Sequence, residues 1–314
     1  MARFLIRRGA QSLITLVVAS IAIFGVIRLA PGDPVRAYAG FDATPAAIQT
    51  IRHQFGFDRP TVVQYLDWIG GLFRGNLGIS ITTHTSVWSV IRPAVTPTLM
   101  MMAGSIVVLL IVGFGIGVAA AATSSRKIDA ILSGLAGLLT GAPVFWTGML
   151  AILLFAVSVH LLPVGGYVSP ATNLGDCIKS MLLPCSILGL ALGGLLARFV
   201  RTAFLDALQA DYVRLARAKG ASNARVMTRH VTRNALIPVV TVFGVIVATL
   251  LGGSVVVETV FAWPGMGRVM MGSVSAEDYP VVQAVLLMYV TSFIVLNFLT
   301  DISYSVIDAR IKQS

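Results

Sequence analysis

The chain has 314 residues, of which 56% are hydrophobic and only 11% charged, and its mean hydropathy is +0.87. Soluble domains average about 25% charged residues, so this composition excludes an ordinary soluble enzyme and predicts a polytopic membrane protein. A net charge of +10 also suits nucleic-acid binding. In so apolar a chain, basic cytoplasmic loops and anionic lipid explain the charge better, so we expect membrane lipid and not nucleic acid as a partner.

The first apolar run covers residues 9–27 and follows Arg3, Arg7 and Arg8. At about 1.5 Å per residue it is long enough to span a bilayer. It is also too long for the apolar region of a signal peptide. We therefore expect an uncleaved transmembrane helix within residues 1–30, with the N-terminus in the cytoplasm because the flanking arginines favour that side.

Residues 31–97 form a long segment that we expect outside the cytoplasm. The turn at 31–34 should end the first span. Two amphipathic helices are predicted at 45–55, with Thr44 as N-cap, and at 61–73. His53 and His84 lack partner ligands nearby in the sequence, so a structural role is favoured over metal binding.

Five further spans are predicted in residues 98–314, at 98–122, 130–157, 180–200, 236–257 and 281–304. Six spans place both termini in the cytoplasm. Pro143 should kink the third span, either for packing alone or for gating. Glycines 113, 115 and 117 suit close helix packing. Cys177 and Cys185 are interpreted as free thiols in preference to a disulfide, because Cys185 already lies in an apolar run.

The loop 201–235 is strongly basic and is predicted to be a helix–glycine–helix unit. Lys219 lies in the last turn of the first helix, Gly220 fits the left-handed position after it, and Ser222 or Asn223 can cap a short second helix. Pro238 would then begin the fifth span. Charge alone favours a plain cytoplasmic loop. The glycine punctuation and the length of the loop favour a docking element for a soluble partner.

A second distinctive stretch follows the fifth span, where Glu258 precedes the sequence FAWPGMGR at 261–268. A carboxylate beside a span calls for a functional hypothesis. Because Glu258 lies at the end of the span, an interfacial or capping role is equally plausible. The motif predicts a turn, and Trp263 is either part of a functional turn or a membrane anchor at headgroup level.

Several motifs together resemble the first, B-type permease subunit of dipeptide/oligopeptide/nickel ABC importers. They are the APGDP passage with FGFDRPTVVQYLDWIGGLFRGNLGIS, the loop YVRLARAKGAS with RHVTRNALIPVV, and ETVFAWPGMGR. The wider importer superfamily writes the loop as EAA, three residues and glycine. Gly220 and Ala216 match that pattern, whereas Arg214 and Leu215 replace its glutamate and first alanine, as in the peptide/nickel branch.

This resemblance implies an all-α, six-span, type I ABC-importer (MetI-like) permease fold with a short extracellular helical subdomain after the first span and a five-helix core. It implies import of di- or oligopeptides across the bacterial inner membrane by alternating access. The implied partners are a homologous second permease, two ATPase subunits and an extracytoplasmic solute-binding protein. The chain has no GxxxxGK[ST] loop, so ATP and Mg are expected on the ATPases, with no catalytic residue, cofactor or metal here.

The resemblance also assigns two candidate sites. Coupling to the ATPases is expected at Ala216, Arg217, Lys219, Gly220, Ala221, Ser222, Arg225, Val226, Arg229 and His230. An extracytoplasmic gate or docking point for the binding protein is expected at Glu258, Phe261, Trp263, Pro264 and Gly265. Nickel or another small solute is an alternative cargo. An ion-coupled secondary transporter is the alternative of another class. It would need ionisable groups at mid-membrane depth, which the first, second, third, fifth and sixth predicted spans lack away from their ends.

Overall fold

The computed structural model describes residues 2–29, 34–39, 43–54 and 56–307, and the regular structure within these residues is helical. The helices are α1 (Ala2–Leu29), α2 (Pro34–Ala39), α3 (Pro45–Gln54), α4 (Thr61–Phe73), α5 (Val87–Ala122), α6 (Arg126–Gly141), α7 (Val144–Ala151, continued by a π-helical segment Ile152–Ser158), α8 (Leu174–Gln209), α9 (Asp211–Ala218), α10 (Asn223–Arg225, continued by a π-helical segment Val226–Val231), α11 (Thr232–Val260), α12 (Met266–Ser275) and α13 (Tyr279–Ile307).

Five of the described helices are long and apolar enough to cross a membrane, and the bent pair α6 and α7 provides a sixth crossing if it is one span. The five are Ile6–Leu29, Val87–Ala122, Leu174–Gln209, Val226–Val260 and Tyr279–Ile302. The predicted all-α architecture is therefore confirmed. The predicted turn at 31–34, up to the start of α2, and the C-terminal Arg310 and Lys312 lie outside the described residues.

The third span was predicted as a single kinked helix at 130–157, and the prediction of one continuous helix is wrong. α6 and α7 are separate helices whose axes differ by 98°. The break lies at Ala142, which is extended with ψ 131°, and at Pro143, which precedes the first residue of α7. A proline disfavours the helical conformation in the residue before it, so this sequence ends one helix and begins another.

The second and fourth predicted spans are too short. α5 begins at Val87 and not at 98, and it contains Pro93 and Pro97. α8 runs from Leu174 to Gln209 and contains Pro184. Its start is fixed by the side chain of Asn173, which accepts a hydrogen bond from the amide of Asp176 at 3.2 Å. Charged residues near the span ends were interpreted as boundaries, but the helices continue through them.

Two helices confirm predictions and two were missed. α3 and α4 coincide with the predicted 45–55 and 61–73 almost to the residue, because proline, threonine and glycine mark their ends locally. α2 and α12 were not predicted. α2 is only 6 residues long, which is too short for a clear periodic pattern. α12 begins inside the FAWPGMGR motif, which was interpreted as a turn.

Internal contacts divide the chain into two compact units. The first contains the described parts of Met1–Gly9, Leu99–Trp263 and Val295–Ser314. In it α8 packs against α6, α7 and α11, around a buried cluster that includes Leu196, Val200 and Phe204.

Glycines on α5 allow α8 to approach closely in this unit. A Cβ on Gly113 would lie 2.6 Å from Leu196 Cδ2, and one on Gly117 would lie 2.7 Å from the carbonyl oxygen of Ala197. Gly115 has no such neighbour. The predicted packing role is therefore confirmed for two of the three glycines.

The second unit contains the described parts of Ala10–Thr98 and Pro264–Ile294, with a core that includes Val87, Ile91 and Val285. Asp278 is its notable polar group, because its side chain is only 2% exposed. The carboxylate accepts hydrogen bonds from the amide of Ile81 at 3.0 Å, from the Thr82 hydroxyl at 2.7 Å and from the Ser80 hydroxyl. A single carboxylate therefore holds the loop 79–86 to the start of α13.

We expect Asp278→Asn to loosen this loop, because an amide nitrogen would face donors where a carboxylate oxygen now accepts. Hydrogen bonds to a charged group contribute about 1.5–3 kcal/mol each. Amide hydrogen exchange of residues 79–86 should therefore become faster by about tenfold or more. Glu277→Gln is the control, since it removes one negative charge from the adjacent exposed residue. Equal exchange in both variants would contradict the role of Asp278.

The histidines and cysteines have structural surroundings. Nδ1 of His53 lies 2.5 Å from Oδ2 of Asp58, and this hydrogen bond lowers the pKa of Asp58. The His84 ring stands edge-on to Tyr38 with centroids 4.6 Å apart. Within the described residues no group of three or more His, Cys, Asp or Glu could hold a metal ion. Cys177 and Cys185 are buried free thiols in α8, as predicted.

Candidate functional site

The predicted helix–glycine–helix unit is present between α8 and α11. Gly220 follows α9 in the left-handed conformation, with φ of 80°. Its amide donates to the carbonyl of Arg217 at 2.9 Å, and the amide of Ala221 donates to that of Ala216 at 3.1 Å. This is a glycine C-cap that satisfies the last carbonyls of α9. It turns the chain directly into the next helix, where the amide of Arg225 approaches the hydroxyl of Ser222.

The residues predicted to couple to a partner divide into two groups by burial. Ala216 and Val226 are buried and belong to the cluster around α8, so they hold the unit in place and do not face a partner. Ala221 and His230 are half-buried. The others are exposed to solvent, namely Arg217, Lys219, Gly220, Ser222, Arg225 and Arg229. These exposed residues give the unit a basic outer surface.

Sequence reasoning missed two further residues of this surface. Leu215 and Tyr212 on α9 are 56% and 38% exposed, although both are large and apolar. They are three residues apart and therefore lie on one side of the helix. Val213 and Ala216, also three residues apart, are buried on another side of the same helix. This three-residue spacing of two apolar pairs is the sequence signal for Tyr212 and Leu215. Exposed apolar side chains among basic ones are typical of a protein–protein contact.

The second helix of the unit is not a separate short helix, which corrects the prediction of a break near 231–236. α10, the π-helical segment and α11 follow one another directly from Asn223 to Val260. The Thr232 hydroxyl donates to the carbonyl of Met227 at 2.9 Å, within the π-helical segment. Pro238 lies inside α11 and does not start it.

An ion pair connects α8 to α6 within the first unit. Nε and Nη2 of Arg201 each lie 2.6 Å from a carboxylate oxygen of Asp129. Asp129 also accepts from the Ser133 hydroxyl at 3.3 Å. Both side chains of the pair are about one-third exposed. Arg201, predicted as the first residue of the basic loop, is therefore a bidentate structural residue of α8.

The second predicted site is the turn that ends α11. Glu258 and Phe261 are buried, at 0% and 1% exposure. The carbonyl of Glu258 accepts from the amide of Trp263 at 2.8 Å, and Ala262 adopts a left-handed φ of 49°. Glu258 is thus enclosed by protein and does not face lipid.

The loop 165–167 lies against this turn in the same unit. The amide of Gly166 donates to the carbonyl of Phe261 at 3.0 Å. The Tyr167 ring stands edge-on to Trp263 with centroids 5.0 Å apart. Trp263 is fully buried at 0% exposure, so the alternative of a membrane anchor is wrong. The structure brings Glu258, Phe261 and Trp263 together.

Pro264 and Gly265, the remaining predicted gate residues, begin the second unit. Pro264 is exposed and Gly265 is buried immediately before α12. The next amide, of Met266, donates to the Thr98 hydroxyl at 2.8 Å. This bond fixes the start of α12 on the N-terminal part of α5 within that unit.

Comparison with known protein families assigns the chain. Residues 113–313 match the binding-protein-dependent transport system inner membrane components, and residues 1–103 match the N-terminal part of such membrane components. The chain belongs to this family. The matched residues 113–313 include both the basic unit after α8 and the turn after α11. Both candidate sites therefore lie in the part of the chain that the family shares.

Relatives of this inner membrane component are similar along its whole length. It is 37% identical to a protein of Brucella suis biovar 1 named as a candidate peptide permease, over 99% of both chains. It is 38% identical to the glutathione transport system permease protein GsiC of Escherichia coli O6:H1, again over 99% of both chains.

Solved structures agree on the fold. Two inward-facing crystal forms of the MetNI methionine ABC transporter align with TM-scores of 0.57 and 0.60 at 19% identity. Each alignment covers 70% of this chain and 96% of the solved chain.

Proposed function

We propose that this inner membrane component is the permease subunit of an ATP-driven importer of di- and oligopeptides. The observation that carries the proposal is the similarity over 99% of the chain to proteins named as peptide and glutathione permeases. Glutathione is itself a small peptide, so the named cargoes share one chemistry. Nickel and other small solutes are the less favoured cargoes.

In the proposed assembly, other subunits complete the pathway, bind ATP and deliver the peptide. A second permease completes the translocation pathway, two ATPase subunits bind ATP and Mg, and an extracytoplasmic protein delivers the peptide. Both termini and the unit around Gly220 lie in the cytoplasm. Residues 1–30 provide the first span, 31–97 an extracytoplasmic segment and 98–314 the core.

In this assembly the basic unit couples the ATPases to the pathway. Its exposed cations, including Arg217, Arg225 and Arg229, meet an acidic groove of an ATPase subunit, and Leu215 and Tyr212 supply apolar contact. Closure of the ATPases moves the helix that begins at Asn223. Since this helix continues as α11, the motion reaches the turn at Glu258. The coupling free energy therefore links nucleotide state to the state of the pathway.

Uptake into cells tests the cargo. We expect cells that lack this chain to lose uptake of a radiolabelled tripeptide, and complementation with the intact chain to restore it. Uptake of a labelled nickel salt in the same cells serves as the comparison. Loss of nickel uptake with normal tripeptide uptake would refute peptide import. Tripeptide transport by the purified chain alone, without ATP, would refute the ATP-driven mechanism in favour of a secondary transporter.

A further inference from the structure

The second unit contains a cavity of about 240 Å³ that neither candidate site uses. It lies among the C-terminal end of α1, the helix α4, the loop before α5 and the start of α13. Its walls include the aromatic rings of Phe24, Phe57 and Trp68. A single water molecule needs only about 10–15 Å³ of such volume, so the cavity has room for a small organic ligand.

The guanidinium group of Arg28 lines this cavity and lies close to two aromatic rings. The Cζ atom of Arg28 is 5.0 Å from the ring centroids of both Phe24 and Phe57. Within the described residues Arg28 has no carboxylate partner. An arginine has five N–H donors at the edge of its plane, and stacking against rings leaves that edge available. A planar edge with parallel donors fits a carboxylate.

Two half-buried glutamines of the same cavity each have one buried polar atom without a hydrogen-bond partner among the described residues. Gln64 Nε2 donates to the carbonyls of Arg59 at 2.7 Å and Phe57 at 3.3 Å, which fixes the amide and leaves its buried Oε1 without a donor. Gln283 Nε2 is buried without an acceptor. Buried polar groups are nearly always paired. A ligand that offers both a donor and an acceptor would satisfy these two atoms.

We propose that this cavity binds the C-terminal residue of a short peptide. The carboxylate pairs with Arg28 and accepts from Gln283, the terminal peptide N–H donates to Gln64 Oε1, and the side chain packs against Trp68 and the two phenylalanine rings. The inference rests on the proposed peptide import and its topology, which places the end of α1 outside the cytoplasm. At about 240 Å³ the cavity is smaller than the roughly 300–1,000 Å³ of a drug-sized site. That size suits one terminal residue better than a phospholipid headgroup with its glycerol.

Binding to the membrane complex tests the proposal. The full-length chain is purified with its co-purifying subunits, without the solute-binding protein, in nanodiscs. The probes are Ala-Ala-Phe and its C-terminally amidated form. We expect the acid to bind about tenfold or more tightly than the amide, since a charge-assisted bidentate pair is lost in the amide. In Arg28→Gln this preference should disappear.

The glutamines provide a second test that does not depend on charge. Gln283→Leu removes a buried nitrogen without an acceptor, so this variant of the complex should retain its thermal stability. Gln64→Leu also removes the two hydrogen bonds to the carbonyls of Arg59 and Phe57, so it should unfold at a lower temperature. Both should nevertheless lose about tenfold in affinity for Ala-Ala-Phe. Gln11→Leu, on α1 but outside the cavity, is the matched control and should bind normally.

Three results would overturn the proposal. The first is equal binding of acid and amide to the wild-type complex. The second is an acid preference that survives in Arg28→Gln. The third is a phospholipid that co-purifies with the wild type and is lost in Arg28→Gln, which would assign the cavity to a headgroup. Cellular tripeptide uptake separates the two hypotheses, because normal uptake with any of these results refutes the cavity site and leaves peptide import standing.

Discussion

Replacing Gly220 by valine should weaken the association of this chain with ATPase subunits and reduce tripeptide uptake, each by about tenfold, which corresponds to about 1.4 kcal/mol of coupling. Gly220 has φ of 80°, and a β-branched residue is an outlier at positive φ. Adopting the left-handed conformation costs an L-residue about 1–2 kcal/mol. The chain would relieve this strain by reorienting the helix after the glycine. The measurement is the amount of ATPase subunit that co-purifies with the tagged chain.

The chain supplies a closely matched control in Gly75. It follows α4 with φ of 75°, and its hydrogen bonds repeat the pattern at Gly220, with Asn76 N donating to the carbonyl of Gly71 at 2.9 Å. A Cβ at either glycine meets no other atom within 4 Å. Gly75→Val therefore imposes the same local strain at a different site. If both variants lose the ATPase equally, the effect is general misfolding and the coupling role of the unit around Gly220 is refuted.

A single methyl group at Gly165 should reduce uptake by about tenfold or more while the ATPase still co-purifies. A Cβ there would lie 2.2 Å from the carbonyl oxygen of Phe261. Backbone atoms on both sides leave no flexible side chain to move away. The turn containing Glu258 and Trp263 would therefore be displaced, and overpacking of this kind costs about 1–3 kcal/mol. Uptake and co-purification are measured on the same preparations of Gly165→Ala.

Gly252→Ala is the control for that substitution. It lies on α11, and its Cβ would meet no other atom within 4 Å. Alanine is a better helix former than glycine by about 1 kcal/mol, so this variant should be at least as stable as the wild type. Normal uptake by Gly165→Ala would show that the turn after α11 tolerates displacement and has no gating role.

Helices were predictable where residues near their ends, such as proline or glycine, mark the boundary in the sequence. The ends of α3, α4 and α9 follow from a proline, a threonine cap or a glycine within a few residues, and these were predicted closely. The basic surface around Gly220 was also predictable, because charge alone marks it. Its inner residues, Ala216 and Val226, were predicted as part of the site, but their burial depends on the cluster around α8.

Long-range partners explain what the sequence could not predict. Arg201 marked the end of a span by its charge, yet α8 continues because Asp129, 72 residues earlier, pairs with it. Trp263 fits a membrane anchor by sequence alone, but its ring is buried against the Tyr167 ring. The cavity at Arg28 combines residues from α1, α4 and α13, and no local pattern connects Gln64 with Gln283. Pairing of this kind becomes visible only in three dimensions.

The unbroken path from Asn223 to Val260 has a mechanical consequence. At 1.5 Å per residue it forms a rod of roughly 55 Å, with the basic turn at Gly220 at one end and the buried turn of Glu258 at the other. Because no loop interrupts this rod, a displacement at one end is transmitted along the helix to the other end. Its more deformable points are the π-helical segment at 226–231 and Pro238, both in the half of the rod that begins at the Gly220 turn. After Pro238 the helix has no such deformable point, so a small rotation of the segment before Pro238 would displace the Glu258 end by a larger distance.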